Sequence, residues 1–194
     1  PLVDGFRWGA GWEAQLSPNG EYVLHTGYFA SILPHGRSAQ PGIEAGRGED
    51  AEYYFTPAFL RDRIGVAYSW WRWDDDEDRV SLDVVELDRS GEVVERRTFP
   101  VPGALAGLDV RADGKLVALI DKGNPSRFGG SQALVLDPDT GETVAEFALE
   151  PGSHSMGYDP TGTFLLYVDG TGTAHWQGRG QSGVLASGLI HADW

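Results

Sequence analysis

Short stretches of alternating apolar and polar residues, separated by glycine turns, run along most of this chain. In residues 66–71, Val66, Tyr68 and Trp70 fall on one face of an extended strand. Residues 164–168 repeat the period of two and carry apolar side chains on both faces. No stretch of a dozen residues has helical periodicity, and glycine and proline interrupt the chain too often for long helices. The pattern therefore predicts short β-strands in sheets that pack against neighbouring sheets.

Three segments share an apolar strand, a four-residue turn that ends in glycine, and a second apolar strand. Their turn glycines are Gly20, Gly114 and Gly162. The last two lie 48 residues apart and the first two 94, so a further copy is expected near residue 67. Apolar stretches do occur there around residues 61–63, but the turn glycine is absent. The spacing predicts a tandem repeat of about 48 residues.

A second recurring element places a glycine turn before another apolar strand. It occurs as DRSGEVVERRTF from Asp88, as DPDTGETVAEFAL from Asp137 and, more weakly, as RGQSGVLASGL from Arg179. Each repeat then holds four short antiparallel strands. The sequence predicts an all-β fold of about four such units in 194 residues.

Radially stacked four-stranded units of this length are the blades of a β-propeller. The turns at 17–20, 112–114 and 159–162, each followed by an apolar strand, resemble the SPDG-then-strand signature of TolB-like and WD-repeat-like propellers. LVLDPDTGE, residues 134–142, is similar to the same pattern. The WD signature at a strand end, with its structural histidine, is not seen, and Trp73-Asp74 lies before a hairpin loop instead, which argues against the classical WD-repeat subfamily. The resemblance covers most of the chain after Trp12, implies a fold rather than a function, and slightly favours an extracytoplasmic or secreted location.

Residues 1–194 are interpreted as a single propeller domain or a propeller fragment. A four-bladed ring, part of a larger propeller, and a half-ring completed by a second subunit all remain open, and the second is favoured. Residues 26–52 break the repeat and are rich in glycine and proline, which predicts a long inter-blade loop. If this loop is a partner-binding arm, Phe29 and His35 are candidate contacts.

SWWRWDDDEDR, residues 69–79, sets three tryptophans and an arginine before five acids. Alternation predicts that Trp70 is buried in the core. Trp71 or Trp73 is then exposed, with Arg72 stacked on an indole face. The sequence therefore makes Trp71, Arg72 and Trp73 the candidate binding site.

The five acids are interpreted as a solvated hairpin loop. Hard cations take clustered carboxylates, so Asp74, Asp76 and Asp78 form an alternative site for calcium or another divalent metal. The ligand spacing and the glycine of a defined calcium loop are missing. We therefore expect that the protein binds no cofactor, with a divalent metal as the alternative.

Composition restricts the other function classes. The 15 basic and 29 acidic residues give a formal charge of −14, which disfavours nucleic acid as a partner. There is no cysteine, so thiolate chemistry is excluded, and no apolar run reaches the roughly 18 residues of a membrane span.

Residues 178–183 spell GxGxxG without the strand-loop-helix context of a nucleotide site, which predicts a hairpin turn. Residues 137–142 are likewise interpreted as an Asx turn that closes a hairpin.

Two function classes follow. The first is a non-catalytic propeller that recognises a protein or peptide, possibly basic, on its loop face. The second is a propeller enzyme, such as a metal-assisted lactonase or hydrolase, in which His25, His154 and His191 could meet at a central channel. Catalytic motifs are absent from the sequence, so the binding module is favoured. Oligomerisation is expected only if the ring is incomplete.

Overall fold

The structure is a computed structural model whose regular elements are all antiparallel β-strands. It describes residues 11–17, 20–27, 31–34, 43–44, 53–61, 65–72, 79–88, 93–121 and 130–189. Over these ranges there is no helix, and hence none that is long and apolar enough to cross a membrane. The chain divides into two compact units, Pro1–Pro100 and Val101–Trp194.

The first unit contains two four-stranded sheets, in each of which consecutive strands are neighbours. The first sheet consists of β1 (Gly11–Leu16), β2 (Tyr22–Gly27), β3 (Ser31–Pro34) and β4 (Ile43–Glu44). The second consists of β5 (Tyr53–Phe59), β6 (Gly65–Arg72), β7 (Arg79–Leu87) and β8 (Val93–Pro100).

The second unit repeats this meander twice. The third sheet consists of β9 (Ala104–Val110), β10 (Leu116–Asp121), β11 (Gly130–Leu136) and β12 (Thr143–Ser153). The fourth consists of β13 (Ser155–Tyr158), β14 (Leu165–Val168), β15 (Ala174–Gly178) and β16 (Gln181–Ala186). The predicted all-β architecture of four-stranded antiparallel units is confirmed.

The three repeat glycines lie in equivalent turns between the first two strands of their sheets. Gly20, Gly114 and Gly162 have φ of 72°, 81° and 69°. Each donates its N–H to the carbonyl three residues earlier, at 2.9, 3.0 and 2.8 Å. Glycine adopts this left-handed conformation freely, whereas a residue with a side chain is strained in it. The conformation of the turn therefore explains why glycine recurs at this position of the repeat.

The first two strands of the second sheet are also joined as a hairpin. The N–H of Leu60 donates to the carbonyl of Gly65 at 2.9 Å, which closes the β5–β6 connection across residues 61–64. The repeat is thus kept in the strand pairing although the turn glycine is missing.

Part of the segment expected to be an inter-blade loop is strand. Within 26–52, β3 pairs with β2, and β4 pairs with β3, so the two complete the first sheet. Both are short because Pro34 and the surrounding glycines interrupt the apolar pattern. Thr26 and Gly27 end β2, and the remainder of 26–52 lies outside the described residues, as do Phe29 and His35.

The core of the second unit lies between its two sheets. Leu165 and Tyr167 of β14 join a buried cluster with side chains of the third sheet, among them Leu119 and Val135. Leu166 and Val168 of the same strand point the other way and form a second cluster with Ala174. The alternation predicted for this strand, with apolar residues on both faces, is confirmed.

Candidate functional site

The binding residues predicted from the tryptophan-rich stretch are only partly described. Trp71 and Arg72 end strand β6, where their backbones pair with Val80 and Arg79 of β7. Nothing is described of their side chains. The other predicted binding and metal residues lie outside the described residues: Phe29, His35, Trp73, Asp74, Asp76 and Asp78.

The histidines proposed for a central metal are not assembled by the described part of the chain. His154 is exposed, with its Nδ1 atom 3.3 Å from the carbonyl oxygen of Gly152. His25 is described only by its backbone, and His191 lies outside the described residues. Among the residues that the structure does describe, no group of three metal-binding side chains occurs.

An open groove of about 480 Å³ lies between the third and fourth sheets of the second unit. It is formed where the turns β9–β10, β13–β14 and β15–β16 come together. We call it the arginine groove, and it is lined by Arg111, Phe147, Tyr158, Gly162, Thr163, Leu165, Gln177, Gly178, Arg179, Gly180, Gln181 and Ser182.

One wall of the arginine groove carries the guanidinium of Arg111. Its carbon lies 5.5 Å from the centre of the Tyr158 ring, a cation–π contact between the two sheets. Its Nε and Nη2 donate to Oδ1 and Oδ2 of Asp113 at 3.1 and 2.6 Å, so this carboxylate already binds it in a bidentate manner. Tyr158 is only 7% exposed, and burial raises the pKa of its hydroxyl.

The two sheets are also tied together beneath this wall. The N–H of Tyr158 on β13 donates to Oδ2 of Asp109 on β9 at 2.8 Å. A carboxylate that accepts a backbone N–H fixes the separation of the two strands more firmly than apolar contact alone. The position of the Tyr158 ring under Arg111 is therefore set by the packing of the two sheets.

The other guanidinium of the groove belongs to Arg179, in the two-residue turn between β15 and β16. Arg179 has φ of 51° and Gly180 has φ of 72°, and Gly178 pairs with Gln181 across the turn. Two positive φ angles are the signature of a type I′ turn, which prefers Asn-Gly or Gly-Gly. A left-handed conformation costs a residue such as arginine roughly 1 to 2 kcal/mol.

Aromatic side chains support Arg179. Its guanidinium carbon lies 5.6 Å from the centre of the Phe164 ring, and that ring meets Trp176 edge-on at 5.7 Å. A Cβ added at Gly178 would lie 2.5 Å from Cδ1 of Phe164, and one at Gly183 would lie 2.7 Å from Nε1 of Trp176. The two glycines thus leave the space in which these rings pack.

The turn beside Phe164 is held by the carboxylate of Asp159. Its Oδ1 accepts the N–H groups of Thr163 and Phe164, both at 2.7 Å, and its Oδ2 accepts the hydroxyl of Thr161 at 2.5 Å. These donors stabilise the ionised form and lower the pKa of Asp159 to about 2. The network fixes the backbone from which the Phe164 ring projects.

A second aspartate network lies at the other end of β14. Oδ1 of Asp169 accepts the Thr171 hydroxyl at 2.7 Å, and its Oδ2 lies 2.8 Å from Nε2 of His175. The hydrogen bond from Thr171 is the main cause that holds the pKa of Asp169 well below its usual range. The His175 ring stacks on Tyr167 at 5.0 Å. Asp169 is thus bound to the turn and His175 packs against the core, so this pair orders the local fold.

Sequence analysis identified the local turns here but not the groove. Residues 178–183 form the predicted hairpin turn. The N–H of Asp139 donates to Oδ1 of Asp137 at 2.8 Å, which confirms the predicted Asx turn. Arg111 and Arg179 were not singled out, because nothing local marks two arginines of different hairpins as neighbours. The signal in the sequence is that Arg179 directly precedes Gly180 in the predicted hairpin turn, a position that asparagine usually occupies.

Comparison with known proteins identifies the fold. The chain is similar to one in the crystal structure of a mitotic checkpoint complex, with a TM-score of 0.61 and 12% identity over 92% of this chain and 51% of that one. This chain thus spans about half the length of the chain that it matches. At this identity the similarity shows the fold alone, a β-propeller, and does not distinguish the TolB-like branch from the WD-repeat-like one. No family model matches the sequence, and no curated protein does so significantly.

Proposed function

We propose that this chain is a non-catalytic propeller binding module that holds a segment of a partner protein in the arginine groove. The observation that carries the proposal is the groove itself. Two arginines stacked over aromatic rings and several side-chain amides and hydroxyls converge on one open cleft between two sheets. Its mixture of rings, charges and neutral polar groups suits a peptide more than a small apolar ligand.

The surrounding structure supports binding without a large conformational change. The groove is bordered by turns whose backbones are fixed by internal hydrogen bonds, including those of Gly114 and Gly162. A preformed surface loses less conformational entropy when a ligand binds. The fold agrees with this function, because propellers present their inter-strand turns on common faces.

Selection from a displayed library of random peptides, followed by titration calorimetry with the selected peptides, tests the proposal. The variant Ser182→Trp places an indole in the groove and is expected to weaken binding at least about tenfold by steric exclusion. Ser187→Trp is the matched control, because Ser187 is also exposed in the fourth sheet region but does not line the groove.

If both variants bound the peptide equally well, the peptide would bind outside the arginine groove. Failure to select any peptide with the folded protein would remove the proposed function altogether. Amide shifts in an NMR titration, expected at Gly180, Gln181 and Ser182, give an independent location for the bound peptide.

A further inference from the structure

We infer that the segment bound in the arginine groove is acidic and that a carboxylate of this segment binds the guanidinium of Arg179. This inference rests on the proposed function and specifies the chemistry of the partner. It concerns the charged side chains that line the groove, which are opposite in sign to the formal charge of the whole chain.

Every charged side chain that lines the groove is an arginine. The chain carries a formal charge of −14, which by itself predicts a basic partner. Charges separated by more than about 8 Å are largely screened at physiological ionic strength, so contacts within the groove depend on the side chains that line it. The nearby carboxylates of Asp109, Asp113 and Asp159 already accept hydrogen bonds from the protein.

The two guanidiniums differ in availability. Arg111 is bound by both oxygens of Asp113. For Arg179 the described residues provide the Phe164 ring and no carboxylate. Planar guanidiniums bind carboxylates through paired hydrogen bonds, and the Arg111–Asp113 pair shows that geometry in this same groove. An incoming carboxylate would therefore meet Arg179 without having to displace an internal one.

The backbone at Arg179 supports a role for its side chain. Among the described residues, Arg179 is the non-glycine residue with positive φ, at a turn position that asparagine or glycine occupies with less strain. Strained positions of this kind concentrate at binding sites, where the side chain is needed. The contact with the Phe164 ring at 5.6 Å is a cation–π interaction, which uses none of the N–H donors of the guanidinium.

Neutral groups can bind the rest of such a segment. Gln177, Gln181 and Ser182 line the groove beside Arg179 and provide side-chain donors and acceptors for a peptide backbone. Acidic residues that alternate with small ones in an extended segment would place one carboxylate at Arg179.

The test uses the same displayed peptide library with three forms of the protein. Wild type is expected to enrich Asp and Glu over their frequency in the library. Arg179→Asn is expected to bind a selected peptide about tenfold or more weakly, because a charge-assisted hydrogen bond is lost. Its melting temperature should be unchanged or slightly higher, since asparagine is preferred in this turn.

Arg61→Asn is the matched control, because it makes the same change of charge at an exposed position in the first unit. It should bind like wild type. Replacing each Glu of the peptide by Gln should weaken binding to wild type by about the same factor as Arg179→Asn. The same replacement should have little further effect on the variant.

Asp113→Asn provides a second variant that acts in the opposite direction. It removes the carboxylate bound to Arg111 and should strengthen binding of acidic peptides several-fold, since that guanidinium becomes available. A decrease in affinity would contradict the inference.

The possible outcomes separate the two proposals. Selected peptides that are basic or apolar, or that bind Arg179→Asn as well as wild type, would overturn the inference and leave the binding function in place. Failure to select any peptide would overturn both. Displacement of a selected peptide by a short single-stranded DNA at equal concentration would show that the groove prefers phosphates and would also overturn the inference.

Discussion

Two turns at opposite ends of strand β14 have the same sequence pattern, aspartate, any residue, threonine, glycine, threonine. The first is 159–163, between β13 and β14, and the second is 169–173, between β14 and β15. In both, the aspartate Oδ1 accepts the N–H of the last threonine, at 2.7 and 3.0 Å. In both, the glycine N–H donates to the aspartate carbonyl, at 2.8 and 3.0 Å. The two turns thus share these hydrogen bonds, although they close differently: the N–H of Asp159 donates to the carbonyl of Phe164, and that of Asp169 to the carbonyl of Thr173.

The surroundings of the two turns differ. Asp169 is 7% exposed and also contacts His175, whereas Asp159 lies at the turn beside the arginine groove. A Cβ added at Gly172 would lie 2.6 Å from the carbonyl oxygen of Leu189. One added at Gly162 would lie 3.3 Å from Ala112. The comparison teaches that local sequence determines the turn, while its neighbours determine how much the turn contributes to stability.

The largest expected difference is between alanine substitutions of the two glycines. Gly172→Ala should lower the free energy of unfolding by about 3 kcal/mol, because left-handed strain adds to a clash with backbone. Gly162→Ala should lower it by about 1 to 2 kcal/mol, mainly from strain. Urea denaturation followed by far-UV circular dichroism measures both.

Equal losses for the two alanine variants would show that the contact with Leu189 does not constrain the second turn. Amide exchange at Leu189, whose N–H donates to the carbonyl of Gly172 at 2.9 Å, provides a local check. Its protection should fall in Gly172→Ala and persist in Gly162→Ala.

A smaller effect is expected from the aspartates. Asp169→Asn should lower the free energy of unfolding by about 2 kcal/mol, since hydrogen bonds to a charged acceptor are replaced by weaker ones. Asp159→Asn should have a smaller effect because the turn is more exposed to water. The same denaturation experiment compares them, and a larger loss for Asp159→Asn would reverse the comparison.

The smallest effect is on the pH dependence of stability. The pKa of the Asp159 carboxyl in the folded state is about 2, below its usual value of 3.8, and the pKa of Asp169 is lowered as well. The folded state therefore binds fewer protons, so this stabilisation is complete above about pH 4 and is lost as the pH falls through the folded pKa. The free energy of unfolding should decline from pH 4 to pH 2.

Asp159→Asn should flatten part of that decline, because the variant has no carboxyl to protonate at this turn. Asp169→Asn should remove a contribution that extends to lower pH than that of Asp159. An unchanged pH profile in both variants would show that neither carboxylate is linked to folding in this range.

Much of the fold could be predicted because its signals are local. The positive φ of Gly20, Gly114 and Gly162 follows from turn chemistry, and the spacing of these glycines indicates the repeat. The alternation along 164–168 predicted both apolar faces of β14. The second DxTGT turn was visible in the sequence too, through its identity with 159–163, but was not recognised as a separate turn.

By itself, the sequence determined the antiparallel strands, their tight turns and the four-stranded unit, because period-two alternation and left-handed glycines act within a few residues. Tertiary structure alone decided which side chains meet. Arg111 and Arg179 belong to hairpins of different sheets, and only the packing of those sheets over the cluster that contains Leu165 and Tyr167 places both guanidiniums at one groove. The same packing gave two turns of one sequence pattern different neighbours, since contacts between distant segments depend on how the sheets stack rather than on the pattern within either one.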